Sequence, residues 1–332
     1  MHSFIKSIVS AVLCLFLLPV AVQAKELVPV GQVVGLELQS GTVTIEDFDA
    51  QMGVAAKAAG LRAGDVLVKI NGRNIRCSDD VRQALRQSTG IVQITVKRGD
   101  KVENCTVKPQ ITPDGPKLGL YLRQGVTGIG TVTWYDPETG EFGALGHGVN
   151  GSGGALLPIT GGNAYSARVV TVKRGVSGKP GQLVGSVENT VPVGILRKNT
   201  AQGVFGKAER PWERPAMEVA EVGEIKTGKA TILSTVDGKG VQEYSVEILK
   251  IYPKARQSGR NLLLKVTDPA LLEITGGIVQ GMSGSPIIQD GKLVGAVTHV
   301  LVNDPTTGYG IFAENMLETA QGVTEKKQKE AS

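Results

Sequence analysis

Apolar and polar positions along this chain fall into distinct regimes. The first is a continuous apolar run from Ile8 to about Val22, with Lys6 before it and Val22-Gln23-Ala24 at its end. A basic flank, a run shorter than the ~20 residues that span a bilayer, and a small-residue end mark residues 1–24 as a signal peptide cut after Ala24 or an uncleaved membrane anchor. Either way the rest of the chain is exported. From about Pro29 to Gln110, strand-length pieces at 33–38, 66–70, 91–97 and 102–108 surround one helical pattern. In that pattern, "SDDVRQALRQ" (78–87), Val81, Ala84 and Leu85 form an apolar stripe. Ser78 is its expected N-cap, with Asp79 and Asp80 at the positive end of the helix dipole. "INGR" (70–73) is an Asn-Gly hairpin signal.

"KPQITPDGPKLG", with Pro109, Pro113 and Pro116, predicts a linker at 111–116. Beyond it, from 117 to 322, short strands recur between Gly, Pro, Asn and Asp, as at 130–135, 167–172, 230–234, 241–251 and 261–266. About 200 residues of this kind, without long amphipathic helices, suit antiparallel barrels. Residues 323–332 form a polar tail.

Composition narrows the classes. The 44 glycines and only 4% aromatic residues fit many short strands joined by tight turns. The net charge of +5 is interspersed, with no Lys/Arg stripe or aromatic platform, which argues against a nucleic-acid partner. Cys14 lies in the export segment, leaving Cys77 and Cys105 as an even pair in a compartment where disulfides persist. The pair is either bridged or simply two small buried apolar residues. Metal-binding C-x-x-C spacing is absent and the three histidines are far apart, so no metal and no cofactor is expected.

The chemistry concentrates in "GGIVQGMSGSPIIQDGKLVGAVTHV" (276–300). Glycines on both sides of Ser283 let the chain turn sharply, so that the N–H groups of Gly281 and Ser283 can form an oxyanion hole. A serine hydroxyl also needs a base, and histidine suits neutral pH. His2 lies in the export segment, and His299 is placed as a wall of the substrate pocket. His147, flanked by glycines in "GALGHGVN" at a strand end, is the candidate base. Asp136, Asp268, Asp290 and Asp304 are candidates to orient its ring, and spacing alone does not choose among them.

Two resemblances follow from these motifs. "AAKAAGLRAGDVLVKINGRNI" (55–75) resembles the core of PDZ domains. It implies an α+β module over 28–110 that binds an extended peptide tail by strand addition, using backbone N–H groups of a loop before its second strand. The stretch matched to that loop is Val34, Gly35 and Leu36. "GMSGSP" followed by an apolar strand and "GKLVG" resembles the nucleophile region of chymotrypsin-like peptidases, with Ser283 rather than Ser285 as nucleophile.

"GIGTVTWYDPETGEFGALGHGV", "TDPALLEITGGIVQGMSGSPIIQDGKLVGAVTHV" and the preceding module together resemble the SpoIVB-type serine peptidases. That resemblance implies a mainly β chain, a PDZ domain followed by a chymotrypsin-like double barrel over 117–322. It further implies a triad of Ser283, His147 and Asp268. Its implied function is exported endopeptidase action on protein substrates, namely on itself and on a membrane-bound regulator, releasing intramembrane proteolysis of a sigma factor during sporulation. An envelope quality-control protease of the HtrA kind and a non-catalytic PDZ scaffold are the rival readings.

Overall fold

The computed structural model describes residues 25–151, 154–255 and 259–322. The predicted export segment and polar tail lie outside them. Among the described residues no helix is long and apolar enough to cross a membrane.

The chain begins in a barrel, leaves it, and returns. β1 (Glu26–Pro29) and β2 (Val33–Ser40) come first. An α/β module follows: β3 (Val43–Phe48), α1 (Val54–Ala58), β4 (Val66–Ile70), β5 (Arg73–Asn74), α2 (Ser78–Arg86), β6 (Val92–Arg98), β7 (Lys101–Val107), β8 (Gln110–Thr112), β9 (Gly115–Lys117) and β10 (Leu120–Arg123). The first barrel then resumes with β11 (Val126–Tyr135), β12 (Glu141–Ala144), β13 (Ile159–Lys173), β14 (Gln182–Thr200) and β15 (Gly203–Ala208). β16 (Met217–Glu218) pairs with β1 and leads to the second barrel. That barrel comprises β17 (Gly228–Ser234), β18 (Gln242–Ile251), β19 (Leu262–Val266), β20 (Pro286–Gln289), β21 (Lys292–Leu301) and β22 (Asp304–Phe312). Its helices are α3 (Pro269–Thr275), before β20, and α4 (Ala313–Ala320), after β22.

Closure defines both barrels. β2, β11, β12, β15, β14 and β13 pair in a ring, and β17, β18, β19, β22, β21 and β20 pair in a second ring. All their pairings are antiparallel, so the expected mainly β, chymotrypsin-like double barrel is the observed architecture. β2 shows how one strand serves both barrels. Val34, Leu36 and Leu38 pack in the first barrel's core, while Val33 joins the core of the second. Its first half, Val33–Leu36, is buried and carries no polar residue, whereas beyond it the half-buried Glu37 and Gln39 alternate with Leu36 and Leu38.

Two corrections concern the module. The expected PDZ boundary of 28–110 and peptidase span of 117–322 assume consecutive domains. Instead residues 26–40 belong to the first barrel, and the module is inserted between β2 and β11. Those two strands pair from Val33↔Thr131 to Leu38↔Val126 across the whole insertion. Val34, Gly35 and Leu36 are therefore interior barrel residues, paired with β11 on one side and β13 on the other, and cannot serve as a peptide-binding loop. Periodicity reveals a strand but not its partner.

The second correction concerns the cysteines, which are both free. Cys105 faces the module's core from β7, whereas Cys77 is the N-cap of α2. The cap also moves by one residue from the expected Ser78. Asp80 accepts from the backbone N–H groups of Arg76 (2.9 Å) and Cys77 (3.2 Å), so the helix begins at Ser78 rather than after it.

Candidate active site

The turn that carries Ser283 is held from both barrels. α3 ends at Gly276 in the left-handed region, and the chain turns again at Gly281 and Gly284, each with φ of 98°. The Thr131 N–H of β11 donates to the Ser283 carbonyl (3.1 Å), and the Thr131 hydroxyl donates to the Gly281 carbonyl (2.8 Å). From β21's side, the Gly284 N–H donates to the Val297 carbonyl (2.7 Å). These bonds engage the carbonyls of residues 281 and 283. Their N–H groups have no hydrogen-bonded partner among the described residues, as donors awaiting an oxyanion should be. Gly284 is obligatory, since a Cβ there would lie 2.0 Å from the Thr131 carbonyl oxygen.

A hairpin arm from the first barrel braces the same turn. Leu183 of β14 donates its N–H to the Gln280 carbonyl (2.8 Å), and the Gln280 N–H donates back to Gly181 (2.9 Å). Ser285 has no access to substrate. It is fully buried and its hydroxyl donates to Ser234 Oγ (3.1 Å).

His147 follows two consecutive left-handed residues, Leu145 and Gly146, both with φ of 68°. A leucine in that region is strained, and such strain is characteristic of functional turns. Gly146 fits because the turn packs on barrel two, where a Cβ would lie 2.9 Å from both Ile311 and Thr298 side-chain atoms. His147 is half-buried, with Nδ1 2.9 Å from the Gly148 carbonyl oxygen. A carbonyl can only accept, so Nδ1 carries the proton and Nε2 keeps its lone pair, the tautomer that a general base requires. Burial lowers the His147 pKa below the ordinary histidine value, against a raising effect of the Gly148 carbonyl.

His147 and Ser283 line one cleft of about 320 Å³, with Gly281, Leu36, Leu38 and Val126 among its walls. Ser283 Oγ donates to the Thr298 carbonyl (2.9 Å) rather than to His147. Rotation about χ1 is the motion that frees the hydroxyl from Thr298. Base–nucleophile contacts are often long before substrate binds. His299, expected as a pocket wall, lies with its ring 5.2 Å from that of His147. Burial, then the charges of His147 and Arg260, lower its pKa to about 4.

No carboxylate hydrogen-bonds to His147 among the described residues. Asp268 is the N-cap of α3. Its carboxylate accepts from Ala270 N–H (3.0 Å), Leu271 N–H (3.1 Å) and Ser245 N–H (3.2 Å). The structure therefore brings Ser283 and His147 together but gives Asp268 a different set of partners from the one its triad role would need. Asp136 pairs with Lys25 (3.0 Å) and caps its own turn. Asp304 accepts from the Thr306 and Thr307 hydroxyls (both 2.7 Å), and Asp290 occupies a hairpin with φ of 50°. The Gly148 carbonyl, Thr131 and Thr298 are not legible as site residues in the sequence, because each acts through backbone or through a partner remote in sequence.

The module has its own groove, about 720 Å³, between β10 and α2. β10 is the edge of the sheet β10-β3-β4-β6-β7, paired on one side with β3 and open on the other. The turn before it is Leu118-Gly119, with Gly119 at φ of 65°. This turn holds the position that the sequence pattern assigns to Val34-Gly35-Leu36. The signal is present in "KLGLYL", a glycine between aliphatic residues, but its place after the β8–β9 hairpin disguises it.

Comparison with known proteins gives matches for both parts. A protein of Nostoc sp. named "Putative zinc metalloprotease" is 32% identical over 94 residues, 27% of this chain. The chain spans about a quarter (26%) of that relative's length. A protease of Mycobacterium tuberculosis (Rv3671c), in its active form, aligns with 60% of this chain and 74% of its own at 17% identity and a TM-score of 0.33. The PDZ domain of an SdrC-like protein from Listeria monocytogenes aligns with 26% of this chain and 92% of its own, at 24% identity and a TM-score of 0.22. The family model for PDZ domains matches residues 51–98, and that for SpoIVB peptidase S55 matches residues 115–317. That second span covers more than half of the sequence and contains the His147 and Ser283 turns: the chain belongs to the SpoIVB peptidase S55 family, a family of serine endopeptidases.

Proposed function

We propose that this chain hydrolyses peptide bonds in protein substrates with Ser283 as nucleophile and His147 as general base. The observation that carries the reading is the shared cleft of His147 and Ser283 beside two unpartnered N–H groups. Ser283 Oγ leaves the Thr298 carbonyl, passes its proton to His147 Nε2 and attacks the substrate carbonyl carbon. The Gly281 and Ser283 N–H groups receive the oxyanion. The imidazolium then protonates the leaving amine, and water repeats the cycle on the acyl-enzyme. The Gly148 carbonyl fixes the ring tautomer throughout. Asp268 acts on this machinery through α3, whose C-terminus feeds the Ser283 turn.

By family resemblance, the chain is exported, cuts itself, and cuts a membrane-associated regulator whose cleavage releases intramembrane proteolysis of a sigma factor during sporulation. The test compares purified wild type with Ser283→Ala and His147→Ala on SDS gels, with N-terminal sequencing and a fluorophosphonate probe. Wild type alone should process itself and take the label. Fragments identical in Ser283→Ala would assign the cuts to another protease, and the reading would fall.

A further inference from the structure

We infer that the module and the catalytic cleft read one and the same polypeptide: a free C-terminal tail docks on β10, and the scissile bond lies upstream of it, bridged by no more than about ten extended residues. The inference rests on the peptidase reading above and adds the direction and the register of the substrate.

Three observations carry it. The first is the place of the insertion. The module leaves the barrel after Ser40 at the end of β2 and returns at Val126 at the start of β11. Only two residues on each side, 41–42 and 124–125, separate module strands from barrel strands. Gly125 crosses so closely over the barrel that a Cβ would lie 1.8 Å from the Leu38 carbonyl oxygen. Gln124 ties the junction to the groove's helix, accepting from the Ser78 N–H (3.2 Å) at the start of α2. Two short struts of this kind fix the groove's orientation to the barrel.

The second is the run of the chain beyond the groove. Val126 and Leu38, where the struts meet the barrel, line the cleft that also holds Ser283 and His147. That wall is aliphatic, with Leu36 and Ile129 beside Leu38 and Val126. An apolar trench thus runs from the module's attachment to the nucleophile.

The third is polarity. A peptide added to the open edge of β10 in antiparallel register has its carboxylate at the Leu118-Gly119 turn, where consecutive backbone N–H groups can receive it. Its upstream residues then run towards Arg123, the junction and the trench. At Ser283 the segment on the carboxyl side of the scissile bond is the leaving group, which takes its proton from His147. The cleft wall shared by His147 and the module's struts is therefore the leaving-group side. Both sites demand the same chain direction.

The register follows from strand geometry. Leu120 and Thr131, which hold the two ends of this path, are eleven residues apart. At ~3.3 Å per extended residue the straight span is at most roughly 36 Å, so no more than about ten or eleven extended substrate residues are needed to bridge it.

The test uses the full chain and fluorogenic peptides with one cleavable core, joined by spacers of about 2, 10 or 20 residues to an apolar C-terminal tail that is either free or amidated. With spacers of about ten or more, the free carboxylate should raise kcat/KM at least about tenfold over the amide. With the shortest spacer the two should be cleaved alike. Equal rates for acid and amide at every spacer, or a gain independent of spacer length, would overturn the inference. Fluorophosphonate labelling of Ser283, measured without peptide, separates the two failures. Labelling with no tail effect refutes the shared path alone, whereas neither labelling nor cleavage refutes the peptidase reading on which it stands.

Discussion

Asp268 distinguishes a helix cap from a triad acid. Its carboxylate accepts three backbone N–H groups, two at the start of α3 through Oδ1 and one from Ser245 through Oδ2. Asp268→Ala removes all three. Losing an N-cap costs about 1 kcal/mol, and the Ser245 N–H, which lies at an exposed position and can turn to water, adds about 0.5 kcal/mol. The total is about 1.5 kcal/mol. Asp268→Asn keeps one carbonyl oxygen, a good N-cap acceptor, and loses only the Ser245 contact, for about 0.5 kcal/mol. At roughly 2–4 °C per kcal/mol, the alanine variant should melt about 3–6 °C below wild type and the asparagine variant about 1–2 °C below. The assay is thermal melting beside kcat on a fluorogenic peptide, measured well below either transition. If the carboxylate acts only through α3, the Asp268→Asn variant should retain kcat within about tenfold. A loss of about 10⁴-fold with a nearly unchanged melting point is the signature of a misoriented base, and it would refute the cap assignment.

Four further outcomes follow from the same geometry. Gly284→Ala places a Cβ 2.0 Å from the Thr131 carbonyl at a φ of 98°, so chemical denaturation should show a loss of several kcal/mol, on the order of 3–5, or no folded protein. Thr131→Val removes the hydroxyl that holds the Gly281 carbonyl. Stability should drop by about 1 kcal/mol, while kcat falls by about tenfold with KM little changed, because the oxyanion donors lose their brace. Burial lowers the pKa of His147, so the acid limb of kcat/KM should lie below the free-histidine value of about 6.5. The sign for stability is the same. Below about pH 6.5 the unfolded chain binds protons that folded His147 and His299 refuse, so stability should fall with pH towards the His299 value of about 4. Denaturant titrations from pH 7 to 4 would measure the slope.

Local signals serve the sequence reading well wherever the chain consults only its neighbours. β4 occupies 66–70 as the apolar pattern indicates, α2 occupies 78–86, and the left-handed glycines around Ser283 are those that the motif requires. What stays hidden is non-local. That β2 closes a barrel with β11 is written in no short window, because any aliphatic strand would match either partner. The PDZ loop consequently reads as Val34-Gly35-Leu36, although Leu118-Gly119 has the same composition. Asp268 illustrates the complementary limit. An Asp-Pro at a helix start is a cap by local rules, and only the family motif suggests chemistry for it.

The insertion also governs the order in which the chain can assemble. During synthesis β2 emerges without its neighbours, and β11 is made only after the entire module. Closing so long a loop from an extended chain carries an entropic cost that grows with its logarithm. The module removes most of it, because its first and last strands, β3 and β10, pair with one another. Once they do, the chain entering and the chain leaving are already side by side. The inserted module is thus the clasp that lets the first barrel shut, and lesions in its β3–β10 seam should surface as barrel misfolding.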